Sequence, residues 1–271
     1  MKIVYQGIPG SYSEACAQKN YPGVETIACK TFDECFEKAS KDNNVRALIP
    51  ESNKTIITNV FKRAEKAGLG TVYVATEDEE IYEEVKKNGG NCVMTEKGHR
   101  SGSDRIFDAI LNLKLDNVKY VINLQGDEPL INPEDIKKLN SFVSLNNLDL
   151  GTLAANINSD DKLNNNNIVK VKTLKDLKKN DYSEALDFNR TFDKNETNIY
   201  HHIGIYQYKI ETLKQFVNLK QSKKEKMLKL EQMRALENNI KIQVKLIDEI
   251  PIGIDTMQDY IDIKKIMSYK S

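Results

Sequence analysis

Tryptophan is missing from this 271-residue chain, and so is net charge, since 40 Lys and Arg balance 40 Asp and Glu. That balance leaves no field to draw in nucleic acid or an anionic membrane surface, and no nucleic-acid partner is expected. No apolar run reaches the length of a membrane span, and the opening "MKIVYQGIPG" lacks a signal-peptide pattern. No membrane insertion is therefore expected. The four cysteines (Cys16, Cys29, Cys35, Cys92) make neither a CxxC pair nor a zinc-site spacing. They read as free thiols in a reducing cytoplasm. Lys, Asn and Ile are abundant, a drift of composition, and "LNNNNI" reads as a surface loop.

What is present is alternation. The runs "KIVYQ", "ETIAC", "VRALIP", "TVYVAT", "NCVMT" and "YVINLQGDEP" take turns with helical patterns such as "IITNVFKRAEKAG" and "SGSDRIFDAILNL". Strand and helix in turn predict an α/β fold with a mostly parallel, Rossmann-like sheet flanked by helices. Ile106, Ala109, Ile110 and Leu113 share one helical face, and Asn132 before Pro133 marks a helix start. After residue 150, "LGTLAANI", "NIVKVKTL" and "YHHIGIYQYKI" predict a smaller, more antiparallel part. "SKKEKMLKLEQMRALENN" predicts an amphipathic helix. A last strand, "IQVKLIDEI", leads through "PIGIDT" to a terminal helix in which Thr256 and Asp259 are spaced as a capping pair.

Acidic residues stand where strands of such sheets end. Asp127 and Glu128 follow "YVINLQG", and Asp255 stands in "GIDT". Ligands of open α/β sheets bind beyond those ends. Two carboxylates from distant strands can share a hard, oxygen-seeking cation such as Mg²⁺, with phosphate oxygens completing its shell. Equally, Asp127 can cap a turn and Asp255 a helix.

From about Ile56 onward the chain resembles the 3-deoxy-manno-octulosonate cytidylyltransferases, the CMP-Kdo synthetases of lipopolysaccharide biosynthesis. The stretches "VYVATEDEEI", "GGNCVMTEKGHRSGSDRI", "VINLQGDEPLI", "GTLAANI", "NIVKVK", "HHIGIYQY", "LEQMRALE" and "GIDTMQD" come in the family's order. The resemblance implies a cytoplasmic nucleotidyltransferase that joins CTP and Kdo, with Mg²⁺ as cofactor, and forms a homodimer. It implies that Asp127 and Asp255 are the catalytic, metal-holding acids. Ser101, Gly102 and Arg105, with Asp127, would bind the nucleotide. Gln125, Arg190, His202, Tyr206, Glu231 and Gln232 would surround the sugar acid, with the Arg190 fork suited to a carboxylate. Glu128 is expected to fix its loop, and His201 to be structural.

The resemblance breaks at the start. The family's PARxxSxRLPGKPL signature, whose Arg, Ser and Lys embrace the triphosphate, has no counterpart, and only Lys54 brings a cation there. Instead, "IVYQGIPGSYSEACAQKNYPG", "ETIACKTFDECFEKA" and "RALIPESN" resemble the beginning of prephenate dehydratase. That family's Thr-Arg-Phe segment is absent, so dehydratase activity is not expected. The chain reads as a truncated dehydratase-like fragment (1–44) joined to a cytidylyltransferase-like domain (45–271). "RALIP" fits both patterns and is expected to stand in for the transferase's first strand. Loss of the phosphate loop is expected to slow turnover. The alternatives are a catalytically inactive Kdo-binding or vestigial fusion and, more distantly, a dehydratase-related protein of phenylalanine biosynthesis.

Overall fold

The computed structural model describes residues 2–6, 17–18, 21–30, 34–35, 38, 41, 45–48, 56–157, 163–193, 195–254, 259, 263 and 266. The chain divides into two compact units, Met1–Asn53 and Lys54–Ser271. Among the described residues no helix is long and apolar enough to cross a membrane.

In the first unit three strands run parallel: β1 (Lys2–Gln6), β2 (Glu25–Cys29) and β3 (Val45–Leu48). β1 is central, with Lys2 opposite both Glu25 and Val45. Among the described residues Val4, Cys29 and Cys35 form a buried apolar cluster, with Ile27 packed on it. β3 is the "RALIP" strand. Among the described residues its ladder is with β1, so the expected substitution into the transferase sheet is not seen. The expected division at 44/45 likewise falls before this strand, whereas the boundary between the units follows Asn53. Cys29, Cys35 and Cys92 are free and buried, as expected of reduced thiols. Cys16, Lys54, Asp255 and Thr256 lie outside the described residues.

The second unit is α/β, as the alternation predicts. After α1 (Ile56–Ala67), β4 (Val74–Thr76) and β5 (Cys92–Met94) pair in parallel, with α2 (Glu79–Lys87) between them in sequence. Next come α3 (Gly102–Asn112), β6 (Tyr120–Leu124), α4 (Pro133–Leu145) and β7 (Leu150–Ala155). Asn132 caps α4 by accepting from the Glu134 N–H, with Pro133 in the first turn. β8 (Lys170–Thr173), β9 (Ser183–Asn189) and β10 (Ile199–Lys209) follow, then α5 (Ile210–Asn218), α6 (Lys223–Leu228), α7 (Gln232–Glu237) and β11 (Gln243–Ile247).

The larger sheet has the order β6-β10-β7-β11-β9-β8, and β10 also pairs with β8. It is mixed. β10 lies antiparallel between β6 and β7, while β7 and β11 run parallel. Pairings from β10 through β7, β11, β9 and β8 return to β10, so this part of the sheet curls onto itself. Strand alternation sends Leu150, Ala154, Tyr206 and Tyr208 into one apolar cluster, with Leu213 and Phe216 of α5 and Met233 of α7. Leu153, Ile203 and Ile205 enter the other, against Leu139, Phe142 and Val143 of α4. Both sheet faces are thereby covered. The single helix expected over "SKKEKMLKLEQMRALENN" is broken: Lys229 takes a left-handed conformation at φ 55° and separates α6 from α7.

Candidate active site

A cleft of about 620 Å³ opens where the end of β6, the start of α3, β10 and the α6–α7 segment converge. Ser101, Gly102, Gln125, Asp127, His202, Tyr206, Glu231 and Gln232 line it. These are eight of the eleven residues the sequence nominates.

Each wall has a local cause. Ser101 caps α3, its Oγ accepting from Asp104 N–H, which brings the first free N–H groups of that helix to the cleft edge. Ser103 N–H donates to Glu231 Oε2 at 3.1 Å, so the carboxylate sits at a helix N-terminus. Burial nevertheless pushes the Glu231 pKa up, against the pull of its bonds to Ser101 and Ser103. A Cβ on Gly102 would lie 3.1 Å from Gln125 Nε2, so a larger residue would press on that side chain where this loop meets the β6 end. Gln125 Nε2 donates to Asn123 Oδ1, Asn123 Nδ2 donates to Ser103 Oγ, and Ser103 shares a bond with the Tyr208 hydroxyl. This buried chain of bonds ties β6, α3 and β10 together.

On β10, His202, Gly204 and Tyr206 face the cleft at period two. The β7 register slips between Ile203 and Tyr206, a bulge of the kind that re-aims side chains near functional sites. His202 stands edge-on to Phe188 and against Tyr206, with ring centroids 5.0 and 5.5 Å away. Burial pushes its pKa down to about 3, and it pushes that of Tyr206 well up.

Asp127 lies just beyond β6, as expected of a strand-end acid. Its carbonyl accepts from Ile254 N–H at 2.9 Å, which brings the chain position before Asp255 directly beside it. A Cβ on Gly253 would lie 3.3 Å from Glu128 Oε1, so Glu128 packs against the same segment.

Two nominated arginines point elsewhere. Arg105 leaves the cleft side of α3 and binds Thr95 Oγ1 and Glu77 Oε2, both at 2.8 Å. Arg190, just after β9, donates from Nη1 to Leu228 O at 3.1 Å, and its own carbonyl accepts from the buried Lys170. Neither is among the cleft-lining residues.

The cations that do line the cleft are Arg100, Lys226 and Lys229, none of them nominated by sequence. Behind the wall sits fully buried Arg234 of α7. It forks onto Asp104 of α3 at 3.1 and 3.0 Å, and onto Glu225 of α6 at 3.0 and 2.6 Å. Its guanidinium also stacks over Phe216 at 4.4 Å. The one sequence signal for this arrangement is Ser222 with Glu225, whose spacing makes a capping box at α6.

A family model described as cytidylyltransferase matches residues 46–242, and one described as prephenate dehydratase matches residues 3–58. Among curated relatives, the 3-deoxy-manno-octulosonate cytidylyltransferase of Nitrobacter hamburgensis is 39% identical over 225 residues, covering 82% of this chain and 86% of the relative. That of Rhodopseudomonas palustris is 40% identical, over 83% of this chain and 91% of the relative. A solved structure of CMP:2-keto-3-deoxy-manno-octonic acid synthetase complexed with CTP superposes with TM-score 0.72 at 26% identity, covering 100% of this chain and 99% of that one. UDP-glucose pyrophosphorylase complexed with UDP-glucose follows at TM-score 0.59 and 11% identity, with 100% and 99% covered, a likeness of fold alone. With its strand-end acid, its mixed sheet and these relatives, the chain belongs to the cytidylyltransferase family, among the 3-deoxy-manno-octulosonate cytidylyltransferases.

Proposed function

We propose that the chain activates 3-deoxy-manno-octulosonate with CTP, releasing CMP-sugar and pyrophosphate. The observation that carries this reading is the single cleft that holds Asp127 and the Ser101–Gly102 loop together with His202, Tyr206, Glu231 and Gln232. In the reaction an anomeric hydroxyl oxygen bonds to the α-phosphorus of CTP, the bond to the β-phosphate breaks, and the hydroxyl proton leaves. No covalent enzyme intermediate is required, so positioning and charge do the catalysis.

The donor chemistry fits a divalent cation: Asp127 supplies hard carboxylate oxygen, and the Ile254 N–H on the Asp127 backbone carbonyl brings the residue preceding Asp255 to the same place. Asp127 and Asp255 would hold Mg²⁺, which when bound offsets phosphate charge. Ser101 and Gly102 would orient the base. Gln125, His202, Tyr206, Glu231 and Gln232 would read the sugar. Lys226 and Lys229 would supply positive charge for the anionic groups of both substrates, whereas Arg100 is held by Asp104 at 2.9 Å and by Val217 O. Arg105 and Arg190 would support the walls through Glu77 and Leu228 unless substrate draws them in. The reading carries with it a cytoplasmic location and a homodimer.

Pyrophosphate release from CTP, the octulosonate and Mg²⁺ tests this, with Asp127→Asn expected to abolish it. Sugar binding without pyrophosphate release would favour the second reading, a non-catalytic sugar-acid binder. That reading is favoured by the absent PARxxSxRLPGKPL signature. Neither binding nor release would refute both.

A further inference from the structure

Thr152 of β7 is fully buried, and its partners dictate where protons lie. Its Oγ1 is 2.7 Å from Ile205 O, 3.2 Å from Ile203 O and 3.1 Å from His202 Nε2. Both carbonyls can only accept, so they take the one hydroxyl proton. The hydroxyl then has only lone pairs to offer His202, and Nε2 must carry the hydrogen of that bond. Ile203 stands at the edge of the β10 bulge and Ile205 within it, so the irregular register is what brings both carbonyls to one hydroxyl. Burial keeps the imidazole neutral, its pKa pushed down to about 3. A neutral ring protonated at Nε2 has a bare Nδ1. His202 lines the cleft, and Nε2 alone is engaged by hydrogen bonds to the described residues.

We propose that Thr152 is a specificity-positioning residue: it locks His202 as the Nε2–H tautomer, so that Nδ1 faces the cleft as an acceptor reserved for a substrate hydroxyl. A carboxylate placed there would meet a lone pair, so the acid group of the sugar binds elsewhere in the cleft and an O–H group faces His202. Valine has nearly the shape of threonine but no lone pair to hold Nε2–H. Serine keeps the lock. The substrate side of this inference rests on the proposed sugar-acid activation; the tautomer side does not.

The test uses the full chain with ¹⁵N-labelled histidine, the ring signals of His202 being assigned from a His202→Gln variant. Wild type and Thr152→Ser are expected to show Nε2 protonated and Nδ1 bare, whereas Thr152→Val shows a mixture or the other tautomer. Calorimetry with 3-deoxy-manno-octulosonate is expected to show binding weakened about three- to tenfold in Thr152→Val, with CTP affinity unchanged. An Nδ1–H tautomer in the wild type overturns the proposal. So does a folded Thr152→Val chain with unchanged tautomer and sugar affinity. The wild-type and Thr152→Ser spectra decide the matter even where valine prevents folding. Failure of the proposed function shows separately, as absent sugar binding with the tautomer intact.

Discussion

His202 illustrates how a wall residue is kept in one charge state. Burial, reinforced by His201, pushes its pKa down to about 3, while an imidazole in the unfolded chain titrates near about 6.5. Below that higher value the unfolded state binds a proton that the native state refuses, so stability falls as pH drops. The loss runs at about 1.4 kcal/mol per pH unit and ends near pH 3, where the native ring also protonates. Above the unfolded value the residue contributes no pH dependence. Urea unfolding at pH 7, 6, 5 and 4 should therefore show a steeper acid loss for wild type than for His202→Gln. Parallel curves would disprove the burial account. Between pH 5 and 8 the ring stays neutral, so it adds no inflection to a binding profile.

Three helices meet at Arg234. It joins Asp104 of α3, Glu225 of α6 and its own α7, and all three side chains are buried. Burial pushes the Asp104 carboxyl up, but bonds from Arg234 and Ser101 outweigh it and hold the pKa below the usual value. Replacing Arg234 by Met would leave buried Glu225 without its guanidinium partner and Asp104 with only the more exposed Arg100, at 2.9 Å. A loss of about 3–5 kcal/mol in denaturant-derived stability is expected, largely restored by adding Asp104→Asn and Glu225→Gln. A loss that the added pair does not relieve would assign Arg234 to packing over Phe216 instead. Most strands and α4 were legible in the sequence because their signals are local, in alternation, Asn132 and Pro133, whereas β9 (Ser183–Asn189) was not foreseen. The break at Lys229 was not, since a lysine rather than a glycine takes the left-handed turn. Asp127, His202 and Glu231 were legible through motifs that keep neighbouring residues together. Arg234 and the cleft cations were not, because their setting depends on partners as far apart as Asp104 and Arg234. Sheet order was hidden for the same reason.

The two units differ in length, Met1–Asn53 being much the shorter. Among the described residues Ile3, Val4, Ala17, Cys29 and Cys35 are buried in the first, whereas two apolar clusters cover both faces of the larger sheet in the second. Small folding units leave little free energy against local opening. Amides of Lys2–Gln6 should exchange with deuterium far faster than those of Ile199–Lys209, as read by mass spectrometry of peptic fragments. Equal protection would show the first unit to be as stable as the second. The position of β10 reaches further, into how the molecule is made. A ribosome delivers β6 and β7 before the strand that must lie between them, and pairing those two directly would shut β10 out. Until Ile199–Lys209 emerges, each early strand lacks its β10 neighbour and has an edge open to other chains. Synthesis of this chain thus passes through a stage that a chaperone would be called on to shield.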